Sequence, residues 1–309
     1  MELRQLNYVI QIAKEKNFSR AAEKLHIAQP SLSQQLSKLE QELNVMLFRR
    51  TTNSVEPTEA GEVFVGKAQE ILDAVEQLRQ EMDDMAQMRK GKLVVGTLPI
   101  TGAHILPLVL PRFGAQYPQI EVVLVEETTA KLEQLTASGG TDVSLLTLPL
   151  IDANLSCEPY MEEEICLAVP QNHRLAAVRE PIDLLELKDE PFIALKRGQG
   201  FRQITVELCE NAGFTPNIVF ESTNIETVQA LVAGEMGIAF VPNMLTRTTI
   251  TNYTPVYLRI KSRPTRTLVI ASRKGRYLSK AAQAFITTLK ETINENELLK
   301  ELESKMDDA

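Results

Sequence analysis

The 309-residue chain carries 33 Lys/Arg against 41 Asp/Glu, a formal net charge of −8, with 44% hydrophobic and 24% charged residues. That balance excludes a disordered or fibrous chain, and the length predicts two or three domains. No apolar run reaches the ~18–20 residues of a membrane span, and the charge-studded start MELRQLNYVIQIAKEKN does not read as a signal peptide. Cys157, Cys166 and Cys209 form no CxxC pair and no metal-ligand spacing, so they read as buried thiols in a reducing cytosol. A cytoplasmic protein with no metal, cofactor or membrane partner is expected.

The charge is uneven along the chain. Residues 1–57 hold eight Lys/Arg and six Asp/Glu, net +2, which leaves 25 basic and 35 acidic groups, net −10, for the remainder. A mildly basic head on an acidic body is the pattern.

In that head, Leu3, Leu6, Val9, Ile10 and Ala13 fall on one helical stripe. Asn17 and Ser19 read as break and cap, Ala21-Ala22 allow close helix approach, and Leu25 anchors. Pro30 stands in the first turn of the next helix, where its missing N–H is no loss. Leu32, Leu36 and Leu39 of that helix point inward. Its other face carries Ser31, Ser33, Gln34, Gln35 and Lys38. Hydroxyls and amides can donate to and accept from base edges in a major groove. A solvated helix face has the same composition; the Ala-Ala helix, short turn and proline-opened polar helix together select a helix-turn-helix. The expected DNA contacts are Ser19, Arg20, Gln29, Pro30, Ser31, Ser33, Gln34 and Lys38. Arg49 and Arg50, ahead of a polar turn at Asn53-Ser54, read as a wing that meets phosphates or a minor groove.

From Phe64 the apolar positions run Ala68, Ile71, Val75, Leu78, Met82 and Met85, alternating spacings of 4 and 3. A seam that narrow sustained over three heptads calls for a partner helix, most simply from a second copy. Two copies would fit a dyad-symmetric operator with half-sites about 10 bp, or a multiple, apart.

After Arg89-Lys90-Gly91-Lys92, β-rich runs alternate with helical ones: KLVVGTL, IEVVLVEET, DVSLLTL, EICLAVP, PFIAL, NIVFES, GIAFVP, TPVYL and RTLVIAS. This predicts an α/β body with largely parallel sheet. Strand ends followed by helix starts occur at Thr97–Thr101, Thr128-Thr129, Lys196-Arg197 and Ser222–Asn224. Ligands of open α/β sheets bind at such ends, and helix N-termini there favour anions. No GxSxG, HExxH, Walker lysine or dinucleotide fingerprint is present, and His26, His104 and His173 lie far apart, so catalysis is not expected.

The head resembles the winged helix-turn-helix of the LysR-type transcriptional regulators. The matching residues are Ala21-Ala22, Leu25, Gln29-Pro30-Ser31, Ser33, Leu36, Leu39-Glu40, Leu43, Leu47-Phe48, Arg50, Thr58, Ala60 and Gly61. Asn44 stands where the family usually has Gly, and Asn is the next-best residue for a left-handed helix end. Thr128-Thr129, Leu135, Asp142 and the run Glu164–Pro170 are similar to the family's effector domain. The resemblance implies an α/β fold with a helix-rich head: a DNA-binding domain over 1–58, a dimerising linker helix over 59–89, and an effector domain over 90–292 similar to periplasmic solute-binding proteins. Its two lobes would be about 92–162 with 268–292, and about 163–267, followed by a charged tail over 293–309. It further implies double-stranded DNA as partner, a homodimer that commonly pairs into a homotetramer, and a small-molecule effector between the lobes near Ile100, Thr101, Thr129, Arg202 and Thr223. The strand-end reading adds Thr128, Lys196 and Asn224, and the basic residues Lys196, Arg197 and Arg202 favour a small anion. One branch of the family senses peroxide with a cysteine just before a Leu-Arg and a second cysteine nine residues on. Phe201-Arg202 and Cys209 match, but Gly200 holds the first position, so thiol sensing is not expected. A stand-alone solute-binding module and an enzyme on the same lobes are the alternatives, the first opposed by the head and the second by the missing catalytic set.

Overall fold

The computed structural model describes residues 1–50, 55–85, 91–247 and 254–307. The expected wing turn at Asn53-Ser54 and the boundary residues Arg89-Lys90 lie outside the described residues, as do the side chains of Arg50, Met85 and 296–307. The chain divides into two compact units, Met1–Met88 with Ser138–Gly140, and Arg89–Ala137 with Thr141–Ala309.

The first unit begins with α1 (Leu3–Glu15), α2 (Phe18–Lys24) and α3 (Gln29–Leu43). Leu32, Leu36 and Leu39 are buried with Val9, Ile12, Ala21 and Ala22 in one core, and the two alanines are almost fully enclosed. The cap of α2 is Asn17, whose side chain accepts from the N–H groups of Ser19 and Arg20; Ser19 lies inside the helix. The helix begins early because the Phe18 side chain belongs to this core. Asn44 ends α3 at φ 54°, the left-handed conformation that its short amide tolerates.

Strands β1 (Phe48–Arg50) and β2 (Val55–Pro57) form an antiparallel pair with Arg49 opposite Glu56. Two devices fix the wing to the helices. The buried Glu40 carboxylate accepts from the N–H groups of Leu47 (2.7 Å) and Phe48 (3.2 Å). Thr58 caps α4 (Glu59–Met85), accepting from Gly61 N while donating to Met46 O. Gly61 has no alternative there, since a Cβ would fall 2.0 Å from Leu47 O. Along α4, Ala68 is buried and Phe64 half-buried against the head core. Ile71, Leu78 and Met82 are 41%, 56% and 47% exposed.

The second unit holds all nine strands the sequence predicts: β3 (Gly91–Thr97), β4 (Ile120–Glu126), β5 (Val143–Thr147), β6 (Leu155–Val169), β7 (Pro191–Leu195), β8 (Asn217–Ser222), β9 (Ala239–Pro242), β10 (Val256–Leu258) and β11 (Thr265–Arg273). Helices α5 (Pro99–His104), α6 (Leu106–Gln116) and α7 (Thr129–Ala137) follow β3 and β4, α8 (Gly200–Asn211) follows β7, and α9 (Ile225–Ala233) follows β8. The expected tail is no separate element; α10 runs unbroken over Lys280–Asp307. Sheet order is β10-β6-β11-β5-β3-β4, with β9 also on β6, and β7 pairs with β8. The β3–β4, β3–β5 and β7–β8 pairs are parallel, whereas β6 and β11 run antiparallel to their neighbours. Strand β6 pairs with β11 up to Glu164 and with β9 from Ile165, so one continuous strand serves two lobes. Each lobe has its own apolar core, one around Leu93, Val109, Phe113 and Phe285, the other around Phe192, Val228, Phe240 and Ile260.

Replacing Glu40 by Ala strands two buried N–H groups, and is expected to destabilise the first unit by about 2 kcal/mol. The check is the urea midpoint of the unfolding of this unit, followed by hydrogen exchange at Leu47 and Phe48; a midpoint equal to wild type would mean that another acceptor reaches those N–H groups.

Candidate functional site

Two surfaces have the chemistry the sequence analysis singled out. On α3, Gln29, Pro30, Ser31, Gln34 and Lys38 are exposed and Ser33 is half-buried. Gln35 is turned inward enough for Gln5 Nε2 to donate to it at 3.4 Å. The N-terminus of α3 has no side-chain cap, so its first-turn N–H groups remain open to an outside acceptor. Ser19 and Arg20 are exposed on α2, Arg20 donating to Glu15 O. Arg49 is exposed on β1, and Arg50 is its strand neighbour. The uncharged polar groups therefore stand on one open face, opposite three fully buried leucines.

The second surface is a cavity of about 370 Å³ in the α/β unit. Four strand-to-helix junctions meet on it: Leu98-Pro99-Ile100 between β3 and α5, Glu126 to Thr129 between β4 and α7, Gln199 to Phe201 at the start of α8, and Thr223 to Glu226 at the start of α9. Of the expected effector residues, Ile100, Thr128, Thr129, Thr223 and Asn224 line it. Thr101, Lys196 and Arg202 do not. Thr101 is buried with an unpartnered hydroxyl, Lys196 is exposed, and Arg202 is paired with Glu221 at 3.1 Å. Thr129 Oγ1 accepts from Gly200 N at 3.1 Å, which ties the start of α7 to the start of α8. Asn224 is spent locally, capping α9 through the N–H groups of Glu226 and Thr227.

Sequence reasoning passed over three kinds of lining residue. Thr147, at the end of β5, lines the cavity and has a buried hydroxyl without a partner. Glu126, Glu127 and Glu226 add carboxylates. Arg266, on β11, is buried and paired with the equally buried Glu163 of β6 at 2.6 Å, and its guanidinium lies 5.5 Å from the Phe201 ring centroid. The visible signal for Arg266 was a charge at the head of an otherwise apolar strand, RTLVIAS.

Residues 3–62 match the family model described as bacterial regulatory helix-turn-helix protein, lysR family, and residues 86–294 match that of the LysR substrate binding domain. The chain belongs to the LysR family of DNA-binding transcriptional regulators. Among its relatives, the uncharacterised regulator YcgK of Bacillus subtilis is 40% identical over 96% of each chain. The dual regulator OxyR of Escherichia coli is 32% identical over 89% of this chain and 90% of its own. Among solved structures, full-length OxyR from Pseudomonas aeruginosa superposes with a TM-score of 0.73 at 28% identity, covering 95% of this chain and 94% of that one.

Gly200 occupies the lip of the cavity, and a Cβ there would stand 3.4 Å from Thr129 Oγ1. The sequence expectation of three buried thiols holds for Cys166 and Cys209, whereas Cys157 is exposed on β6. Burial pushes the Cys166 thiol up to about 11 and the Cys209 thiol up to about 12, so at neutral pH neither supplies thiolate. Iodoacetamide at pH 7.5 is accordingly expected to alkylate Cys157 in the native protein and to leave Cys166 and Cys209 unmodified until urea is added. Peptide mass spectrometry reads the result, and native labelling of Cys209 would contradict its enclosure.

Proposed function

We propose that this regulator reads operator DNA with α3, is held as a dimer by the seam of α4, and answers a small metabolite that enters the cleft between the two lobes. The observation that carries the first part is the division of α3 into a face of buried Leu32, Leu36 and Leu39 and an open face of Gln29, Ser31, Gln34 and Lys38. Amides and hydroxyls on an exposed helix, near an uncapped N-terminus able to receive a phosphate, suit a major groove. Arg20, Arg49 and Arg50 are read as backbone contacts, Ser19, Pro30 and Ser33 as residues that set the fit of α3. Gln34→Ala is expected to cost about 1–3 kcal/mol at the preferred operator and to relax the choice at one or two base pairs. Arg49→Ala should weaken all duplexes alike and lower the salt slope by about 1. Binding titrations across operator variants separate the two, and an unchanged preference after Gln34→Ala would remove α3 from base reading.

Domain limits of 1–58, 59–89 and 90–292 follow from the same reading, with the lobes dividing near residues 162 and 268. Ile71, Leu78 and Met82 stand apolar and exposed on one stripe of α4, a surface that a second copy of the same helix would cover. Such dimers would pair into tetramers on a dyad-symmetric site. Leu78→Lys places a charge in the seam and is expected to halve the sedimenting mass at micromolar concentration or below; an unchanged mass would exclude this seam as the interface.

The cleft residues proposed to meet the effector are Ile100, Thr128, Thr129, Thr223 and Asn224; Thr101, Lys196 and Arg202, also expected from the sequence, lie outside the lining. We read the cleft as a sensor without turnover. Its relatives are transcriptional regulators, and its work on DNA belongs to the cytoplasm. A ligand need only bind one lobe arrangement better than the other to shift the population.

A further inference from the structure

The charged groups of the cavity are divided between its rim and its wall. Glu126 and Glu127 at the end of β4 and Glu226 in the first turn of α9 are exposed, and their carboxylates form no ion pair or hydrogen bond among the described residues. Neighbouring carboxylates are matched instead, Glu163 by Arg266 and Glu221 by Arg202. The Glu126 carboxylate lies against α5, where Gly102 leaves room for it; a Cβ on Gly102 would come within 2.7 Å of Oε1.

The wall has the opposite character. Thr147 is 1% exposed, lines the cavity and has an unpartnered hydroxyl. Arg266 is 3% exposed, commits Nε and Nη2 to Glu163, and makes no hydrogen bond through Nη1 among the described residues. The N-termini of α7 and α8 open on the same space through Thr129 and Gly200. A group that accepts hydrogen bonds suits this wall, and a group that donates them, with positive charge, suits the rim.

We propose that the effector is a small zwitterion of the amino-acid type, its carboxylate against Thr147, Arg266 and the starts of α7 and α8, and its ammonium between Glu126, Glu127 and Glu226. The proposal rests on reading the cleft as the effector site. Glu126 and Glu127 belong to one lobe and Glu226 to the other, and all three line the same cavity, so like charges from both lobes repel there. An ammonium between them turns that repulsion into attraction from both sides, which favours the closed arrangement. A plain carboxylate gains nothing at the rim, and a plain amine leaves the wall donors unmatched, so each loses to the zwitterion.

The test uses the full chain in thermal-shift titrations with the twenty standard amino acids, their des-amino carboxylates and their decarboxylated amines. The expected result is that at least one amino acid raises the melting temperature while its matched carboxylate and amine do not. Apparent affinity for that amino acid should fall about tenfold or more in both Thr147→Val and Glu126→Gln/Glu226→Gln. Absence of any amino-acid response overturns the proposal, as does an equal response to the matched carboxylate, or a response unchanged in both variants. Operator binding by gel shift is followed in parallel. A protein that fails with amino acids but still responds on its operator to a simple carboxylate refutes the zwitterion alone, whereas loss of every operator response refutes the effector reading beneath it.

Discussion

The antiparallel ladder of β6 on β11 is the constraint on which the α/β unit depends. Strand β6 spans 15 residues, pairs with β11 over its first part and then with β9 and β10, so both lobe cores hang from it. At the change of partner, Glu163 and Arg266 meet inside the protein, with Met244 N–H donating to the same carboxylate. Removing either charge alone would leave the other buried and unmatched, at a cost of about 3–5 kcal/mol, although a buried pair of this kind adds little net stability over an apolar replacement. Its retention makes better sense as positioning, since it holds a guanidinium in the cavity wall at the junction of the two lobes.

This placement links the cleft to the strands about which the lobes would move. A ligand that engages Arg266 acts on a side chain anchored to both crossing strands, while Thr129 and Gly200 already tie the starts of α7 and α8. Under the proposed effector reading, the rim carboxylates would act on the same coordinate from outside, since they belong to different lobes. On that reading specificity and response would arise from the same few groups, with no distant relay needed for the cleft itself.

Much of this was legible in the sequence, for physical reasons. Short runs such as DVSLLT and GIAFVP are buried from end to end, and their β-branched, turn-bounded composition announces that. The first half of β6, LSCEPYMEE, announces nothing. Most of its side chains are exposed, and Pro159 at its centre argues against a strand. Its pairing with β11 tolerates the proline at a register shift between Leu268 and Val269, a feature set by the partner strand and invisible locally. The same limit applies to the cleft. Residues at strand ends, such as Ile100, Thr129 and Thr223, were reachable because the parallel pairs β3–β4 and β7–β8 each carry their strand ends on one side. Arg266 and Thr147 come from the antiparallel crossing strand and from the interior end of β5, and only the assembled sheet brings them there.

The head reverses the relation between charge and information. Its sequence is only mildly basic, yet an exposed helix face of amides and hydroxyls is the costlier commitment, because its serines weaken the helix and none of these side chains adds to the core. Buried Glu40 and the close approach at Gly61 serve the same end, fixing β1 and β2 against the helices so that Arg49 has a set position relative to α3. On the proposed reading the uncharged face would distinguish bases while the arginines supply grip, so that neither task is compromised for the other.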